Sequence, residues 1–464
     1  MTQLAEQKGA HLSNFARIGE QDARGGNGAA RPPAWLGELR KAGIARFDQV
    51  GFPSGRDEHW RHTNFAPIAR TAFRLAPEVA GDAIADAAAA YGFGGEAAAE
   101  LVFVNGRYAA KLSTPGRLPR GARALSLAEA IDSGEELVER HLGRGADIDA
   151  NPFVALNSGF VRDGAFVHLP RGAALDLPIH LLFLSTNAGG EPTVSHPRVL
   201  IVAEDGASAS VVETYAGSGG GVYFTNAVTE IACAPGARVD HNKLQQESPD
   251  AFHVATAHAR LDHDAVFVSH SGTIGAKLTR NDLNVVLAGP HAEATLNGLV
   301  LIGDQQHADN HTLLDHAAPE CPSYELYKHV LEGRATGVFK GKILVRPAAQ
   351  KTDSKQTSKT LLLSDEAAMN SMPALEIYAD DVKCTHGSTT GPVDESMVFY
   401  IRSRGVSLEA ARHLLSYAFA ADITRRIKVE PVRRRLEEYM AARHGLPQDL
   451  RITDLGRHDE QHRT

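Results

Sequence analysis

The chain has 464 residues, of which 43% are hydrophobic and only 6% aromatic, and its formal net charge is −8. That length allows two or three domains with sizeable cores, and the mixed charges leave no basic footprint for nucleic acid. The three cysteines, Cys233, Cys321 and Cys384, lie far apart and form neither a disulfide framework nor a CxxC pair, which indicates a reducing cytoplasm. No apolar run reaches the roughly 20 residues of a membrane helix and no signal-peptide pattern is present, so we expect a soluble cytoplasmic protein without a membrane partner.

The first third of the chain has a helix-rich pattern. Residues 1–30 are polar and rich in Gly and Ala, so we expect them to be flexible. Residues 31–150 are predicted to form an α-rich domain. Within it, apolar spacing and composition predict helices between Trp35 and Phe47, over residues 82–100 and over residues 126–142, with a strand and turn at residues 101–106.

Residues 151–392 have a strand-rich pattern that repeats. Helical periodicity disappears, and short β-rich runs alternate with turns of Gly, Asp, Asn and His. A turn triplet recurs at spacings of 34, 30, 28 and 27 residues, as Arg171-Gly172-Ala173, Asp205-Gly206-Ala207, Pro235-Gly236-Ala237, His263-Asp264-Ala265 and Pro290-His291-Ala292. A period of this size without intervening helices is typical of a solenoid, whose stacked coils share one core. We therefore predict a mainly β protein with a parallel β-helix core; a β-sandwich is the alternative, but its turns should not repeat in this way.

The last part of the chain returns to helical spacing. Residues 393–448 are predicted to form a helical domain, followed by a polar, frayed tail at residues 449–464. Ser407 is a good N-cap, and apolar residues follow it at helical spacing from Leu408 to Ile423. Such a unit can cap the end of the solenoid or dock a partner, and the two roles are compatible.

The candidate site is the run Ala379-Asp380-Asp381-Val382-Lys383-Cys384-Thr385-His386-Gly387-Ser388. In an extended strand, residues i and i+2 point to the same face, so Cys384 and His386 would present sulfur and nitrogen together. These are ligand types that zinc, iron and iron–sulfur clusters prefer. Two ligands do not close a tetrahedral site, so a metal bound here would need further ligands from elsewhere.

Several ordered motifs carry a family resemblance. They are EHWRHTN at 58–64, YELYK at 324–328, GRATGVFKG at 333–341, AQKTD at 349–353, LLLS at 361–364, PALEIYADDVKC at 373–384 and FYIRSRG at 399–405. Together they resemble the SufD family of iron–sulfur cluster assembly proteins, paralogous to SufB, over most of residues 50–440. SufB-like chains are an alternative, but they usually carry more cysteines and often an N-terminal CxxC, which this chain lacks.

The resemblance implies a fold, partners and a site. It implies a right-handed parallel β-helix between two helical regions, and a scaffold subunit, not an enzyme, of the SUF complex. Its partners would be a SufB paralogue, paired through the β-helix, and the SufC ABC-type ATPase, bound by the C-terminal helices. His386 would supply a ligand to a nascent iron–sulfur cluster facing a SufB cysteine, with Cys384 the weaker candidate. The isolated chain would bind no cofactor and could form a homodimer when SufB is absent.

Two other chemistries deserve comparison. Some parallel β-helices are polysaccharide-active enzymes that use paired carboxylates with a Lys or Arg. In this chain, Asp380, Asp381 and Lys383 are the candidates for such catalytic groups. Adjacent strand residues point to opposite faces, which argues against a shared site for the two acids. His307, His311 and His316 form a His-rich patch that could bind a metal, although turn or solvated histidines are the simpler interpretation.

Overall fold

The computed structural model describes residues 9, 11–16, 32–79, 84–187 and 190–443. The predicted flexible segment 1–30 lies outside these residues except for residue 9 and residues 11–16, and the predicted polar tail 449–464 lies wholly outside them. In the described ranges, no helix is long and apolar enough to cross a membrane.

The N-terminal region combines short helices with strands that begin the solenoid. Its helices are α1 (Ala34–Val50), α2 (Ala66–Arg70), α3 (Ala85–Tyr91), α4 (Leu127–Asp132), α5 (Glu136–His141) and α6 (Pro152–Phe160), with 3₁₀ turns at Glu58–Trp60 and Ala110–Leu112. Its strands are β1 (Arg74–Leu75), β2 (Ala99–Val104), β3 (Arg107–Tyr108) and β4 (Arg123–Ser126). The helix predicted over residues 126–142 is wrong as a single element, because Gly134 adopts a left-handed conformation between α4 and α5. The helix predicted over residues 82–100 ends early at Tyr91, before Gly92.

The predicted parallel β-helix is confirmed. Its strands, in chain order, are β5 (Gly164–Leu169), β6 (Ile179–Thr186), β7 (Thr193–Ser195), β8 (Arg198–Ala203), β9 (Ser208–Ser218), β10 (Tyr223–Cys233), β11 (Arg238–Gln246), β12 (Phe252–Leu261), β13 (Val266–Thr273), β14 (Leu278–Leu287), β15 (Glu293–Ile302), β16 (His307–His316), β17 (Pro322–Leu331), β18 (Thr336–Val345), β19 (Asp353–Leu362), β20 (Ala368–Ser371), β21 (Ala374–Ile377) and β22 (Lys383–Pro392). Successive long strands alternate between two sheets and pair in parallel with the strand two places away. Sheet A runs β4-β5-β8-β10-β12-β14-β16-β18-β20, and sheet B runs β3-β2-β6-β9-β11-β13-β15-β17-β19-β22.

The repeated turn triplet forms one corner of the solenoid. The central residues Gly172, Gly206, Gly236, Asp264 and His291 all have positive φ, between 56° and 71°. Each central N–H donates to a carbonyl of the next turn along the axis, as Gly206 does to Pro235 and Gly236 to His263. The alanine that follows each of the last four centres is fully buried, because only a small side chain fits inside the corner. The repeat therefore encodes a stacked turn.

The interior between the sheets is aliphatic on one side and polar on the other. Fully buried Ile201, Val285 and Leu314 belong to one continuous apolar cluster that also includes residues of β2 and β4. The polar side carries buried ion pairs and hydrogen bonds, such as Glu213 with His241 at 2.7 Å. Buried polar groups of this kind are tolerated because they are mutually hydrogen-bonded.

The N-terminal EHWRHTN motif anchors its loop on the outer face of sheet A. The Arg280 guanidinium lies 4.3 Å from the Trp60 ring and bonds Asp309 at 2.6 Å, and Thr63 donates to the same carboxylate at 2.5 Å. Burial alone would raise the pKa of Asp309, but the Arg280 charge outweighs it and holds that pKa below its usual range. The motif thus joins the loop to the solenoid wall.

The C-terminal helices are α7 (Glu395–Arg402), α8 (Leu408–Thr424) and α9 (Glu430–Arg443). The predicted N-cap is confirmed, since the Ser407 hydroxyl accepts the Ala410 N–H at 3.2 Å. The sequence left capping and docking open as roles of this unit, and α8 and α9 lie along the side of the solenoid and not across its end. Tyr417 and Leu436 pack with Leu244 and Leu299 of sheet B, because the outward-facing residues of that sheet offer an apolar surface along the side of the coil.

Candidate functional site at the open end of the solenoid

The last coil of the solenoid is open. Strand β22 pairs with β19 alone, and β20 and β21 pair with β18 alone, so within the described residues both sheets end on an unpaired edge. Most residues of β22 are exposed. The opposite end differs, because β2, β3 and β4 of the N-terminal region extend the two sheets there. A long unpaired edge is a template for pairing with another chain.

Cys384 and His386 lie on this last strand, as predicted. Cys384 packs against the interior apolar cluster, so its face of the strand is the inner one. Alternation along the strand places His386 on the same face. His386 is exposed because no further coil lies above it among the described residues. The structure therefore brings both predicted ligands to the inner face of the open end.

Burial makes the Cys384 thiol a weaker candidate for metal binding than an exposed side chain. Cys384 is half-buried, and burial raises the pKa of its thiol, an effect that a nearby Ser354 backbone contact only partly offsets. A thiol with a raised pKa is the weaker ligand, since the thiolate is the binding form. In the described parts of the chain, no three or more His, Cys, Asp or Glu residues are grouped to hold a metal ion. Cys384 and His386 alone are too few ligands to complete a tetrahedral site.

Apolar and polar groups frame the open end. Ile377 and Tyr378, at the end of β21, are exposed, Tyr378 by 62%. Ser388 donates to Ser371 at 2.8 Å, which ties β22 to β20 across the mouth of the coil. The edge thus combines exposed backbone, two apolar side chains and one imidazole on a rigid scaffold.

The other predicted chemical groups do not gather into a site. Asp380 and Asp381 lie in the bend before β22, so the strand argument about their faces does not apply. The Asp381 carboxylate pairs with Lys351 in the neighbouring turn. This pairing leaves the polysaccharide-active alternative without a free pair of carboxylates.

The histidine patch is split between two faces of sheet A. His316 is buried inside the coil, where it contacts the Ser323 hydroxyl at 3.0 Å. His307 and His311 lie on the outer face, where they contact Thr63 and Arg280 respectively. The other two cysteines, Cys233 and Cys321, are buried in the interior cluster, and burial raises the pKa of each thiol, to about 12 and about 11.

A second surface was not predicted residue by residue. On α7, Val398 packs inward, whereas Met397, Phe399 and Tyr400 are exposed, Phe399 by 75%. Leu408 and Leu414 of α8 add to the exposed apolar surface. Exposed apolar residues that are close together along two consecutive helices are a candidate interaction surface. The FYIRSRG motif contains Phe399 and Tyr400, but helical spacing alone could not show which side of the helix packs inward.

The fold and its open end define a parallel β-solenoid protein whose last coil has an unpaired edge. Two family models match the chain: the SUF system FeS cluster assembly SufBD core domain over residues 183–419, and the SufBD protein N-terminal region over residues 29–181. An iron–sulfur cluster assembly SufBD family protein of Synechocystis sp. is 33% identical over 401 residues, which is 84% of this chain and 87% of that protein. The iron–sulfur cluster assembly protein SufD of Escherichia coli is 29% identical over 389 residues, 84% of this chain and 88% of its own. The chain belongs to the SufBD family of SUF-system iron–sulfur cluster assembly proteins, and the predicted resemblance is confirmed.

Proposed function

We propose that this chain is the SufD-type scaffold subunit of a SUF complex and catalyses no reaction itself. A SufB-type paralogue pairs with its open end, and a SufC-type ABC ATPase binds its C-terminal helices. The observation that carries this proposal is the unpaired β22 edge with His386 on its inner face. A paralogous solenoid would continue both sheets across the junction and satisfy the free backbone groups.

His386 is the proposed ligand to the nascent cluster, which is the cargo of the complex and not a resident cofactor. Imidazole nitrogen is an established ligand of iron–sulfur clusters. The remaining ligands come from the paired chain, because Cys384 is half-buried with a raised thiol pKa. The isolated chain is therefore expected to hold no cluster.

The ATPase is proposed to bind the exposed side of α7 and α8. Phe399 and Tyr400 offer aromatic anchors of the kind that dominate protein interfaces. Both helices pack on the solenoid wall, so movement of a bound ATPase would be transmitted to the scaffold. The cytoplasmic location and a homodimer of the isolated chain stay predictions.

The test is cluster assembly in the anaerobic complex. Tagged chain is first purified with its co-expressed partners, and the masses of the complex are measured by native mass spectrometry. His386→Ala is expected to leave assembly intact and to lower iron and acid-labile sulfide per complex at least several-fold. Thr385→Ala, on the opposite face of the same strand, is the matched control and is expected to change neither. Unchanged iron and sulfide in His386→Ala would contradict the ligand role, and recovery of the chain without partners would contradict the scaffold role.

A further inference from the structure

Two residues on consecutive coils of sheet B lie directly in line with His386, the candidate ligand. The strand register pairs Glu325 of β17 with Gln356 of β19, and Gln356 with His386 of β22. Paired side chains of neighbouring parallel strands stack on the same face at the strand spacing of about 4.8 Å. Gln356 is thus the side chain directly beneath His386.

The amide of Gln356 is held in one orientation. It is only 1% exposed, and its Nε2 donates to Glu325 Oε2 at 2.7 Å. A Cβ at Gly341, across the interior in β18, would overlap the amide nitrogen, so glycine there makes room for the group. Burial raises the pKa of Glu325 to about 7, so its carboxylate is ionised only above that pH. There it accepts but cannot donate, and the nitrogen and not the oxygen of the amide must face Glu325.

This orientation leaves the other end of the amide without a bond. Gln356 Oε1 is buried and has no hydrogen-bond partner within the described residues. A buried carbonyl without a donor is costly, and such groups in folded proteins call for an explanation. The nearest coil beyond Gln356 is β22, and the residue paired with it there is His386.

We propose that Gln356 is the positioning residue of His386: its Oε1 accepts the N–H of one imidazole nitrogen and leaves the other nitrogen unprotonated and directed out of the open end. Metal-binding histidines generally donate their second N–H to a carboxylate or carbonyl, which selects the tautomer and orients the ring. Glu325 acts one step further back by holding the amide. This inference rests on the proposed ligand role of His386.

The tautomer of His386 can be measured in the isolated, cluster-free chain. Because burial raises the pKa of Glu325 to about 7, the experiment is done at pH 8.5, where its carboxylate is ionised. Ring ¹⁵N shifts of His386, assigned with His386→Ala, are expected to show one fixed tautomer. Gln356→Met keeps the side-chain volume but removes the acceptor, and is expected to move both shifts toward the averaged values of free histidine.

Two further variants separate positioning from folding. Ser358→Ala, on the same inner face but paired with Ser388, is the matched control and should leave the His386 shifts unchanged. A glutamine at position 325 can both donate and accept, so Glu325→Gln no longer restricts the Gln356 amide to one orientation. It should therefore loosen the His386 tautomer even if Gln356→Met does not fold. In the anaerobic complex, Gln356→Met should lower cluster retention against a chelator by about 10-fold or more, and Ser358→Ala should not.

The two proposals fail in different ways. Unchanged His386 shifts in both Gln356→Met and Glu325→Gln would overturn the positioning role, whatever His386→Ala does to cluster yield. If the shifts move but His386→Ala leaves the cluster content unchanged, the contact stands and its role in cluster binding is overturned.

Discussion

The buried carboxyl of Glu325 makes the stability of the folded chain depend on pH. Burial raises its pKa to about 7, and the neighbouring Thr312 hydroxyl and Gln356 amide offset this only in part. Tyr327, on the same strand, is the adjoining titratable group, and burial raises its pKa too. The folded chain therefore holds a proton on Glu325 at pH values where the unfolded chain, with an ordinary pKa of 4.5, has released it.

This difference predicts the sign of a pH effect. Between pH 4.5 and 7 the folded state binds more protons, so this residue lowers the free energy of unfolding as pH rises. Glu325→Gln should remove the effect, making the variant more stable relative to wild type at pH 8 than at pH 4.5 by about 3 kcal/mol. Urea unfolding across that range measures it, with Glu366→Gln, at an exposed turn, as the control. If the difference in the free energy of unfolding between wild type and Glu325→Gln stayed constant with pH, the prediction would be refuted.

At the scale of elements, the turns were the most predictable feature. Gly and Asp at the centres of the repeated triplet tolerate positive φ, so these residue types indicate a turn with a left-handed backbone conformation. The same corner continues at Glu320 and Lys351, whose φ values are 60° and 64°, and no sequence signal marked those two. There the stacked hydrogen bonds impose the conformation, as when the Lys351 N–H donates to the Asp381 carbonyl at 2.7 Å.

The polar interior was not predictable from alternation. In β17, Ser323, Glu325 and Tyr327 face inward, whereas Leu326 faces outward and packs near the C-terminal helices. Because helices cover the outer face of sheet B, apolar residues occur on both faces and alternation no longer identifies the inner one. The sequence could therefore place Cys384 and His386 on one face, but it could not reveal Gln356 beneath them.

The packing of α8 and α9 on sheet B predicts a local loss of structure. Leu436 is fully buried in that interface beside Leu244. Leu436→Ala should cost about 2–5 kcal/mol, which hydrogen exchange should record as faster exchange in both helices with the strands of sheet A unchanged. Leu414→Ala, at an exposed position of α8, is the control and should cost about 0.5 kcal/mol or less. Equal loss of protection throughout the chain would contradict this picture.

At the scale of the whole molecule, the two candidate interfaces lie on different elements. One is the open end, with β20, β21 and β22 and the exposed Ile377. The other is the outer side of α7 and α8, joined to the solenoid through Val398, Ala411 and the sheet B cluster. The long coil between the N-terminal region and the open end is a continuous hydrogen-bonded unit. Under the proposed function, the paralogue and the ATPase therefore contact different elements of the chain.

This separation predicts that each interface can be broken alone. A charge at Ile377, as in Ile377→Glu, should weaken pairing with the SufB-type chain by about 30-fold, the effect of losing a hot spot of about 2 kcal/mol. Phe399→Asp should weaken ATPase binding to a similar degree and leave pairing intact. Leu177→Asp, an identical kind of change at another exposed apolar residue, is the control for both. Binding of each purified partner is measured by calorimetry, with circular dichroism to confirm the fold. If the two interfaces are independent, each variant loses only the partner whose anchor residue was changed. Loss of both partners from either variant would therefore show that binding at one surface depends on the other.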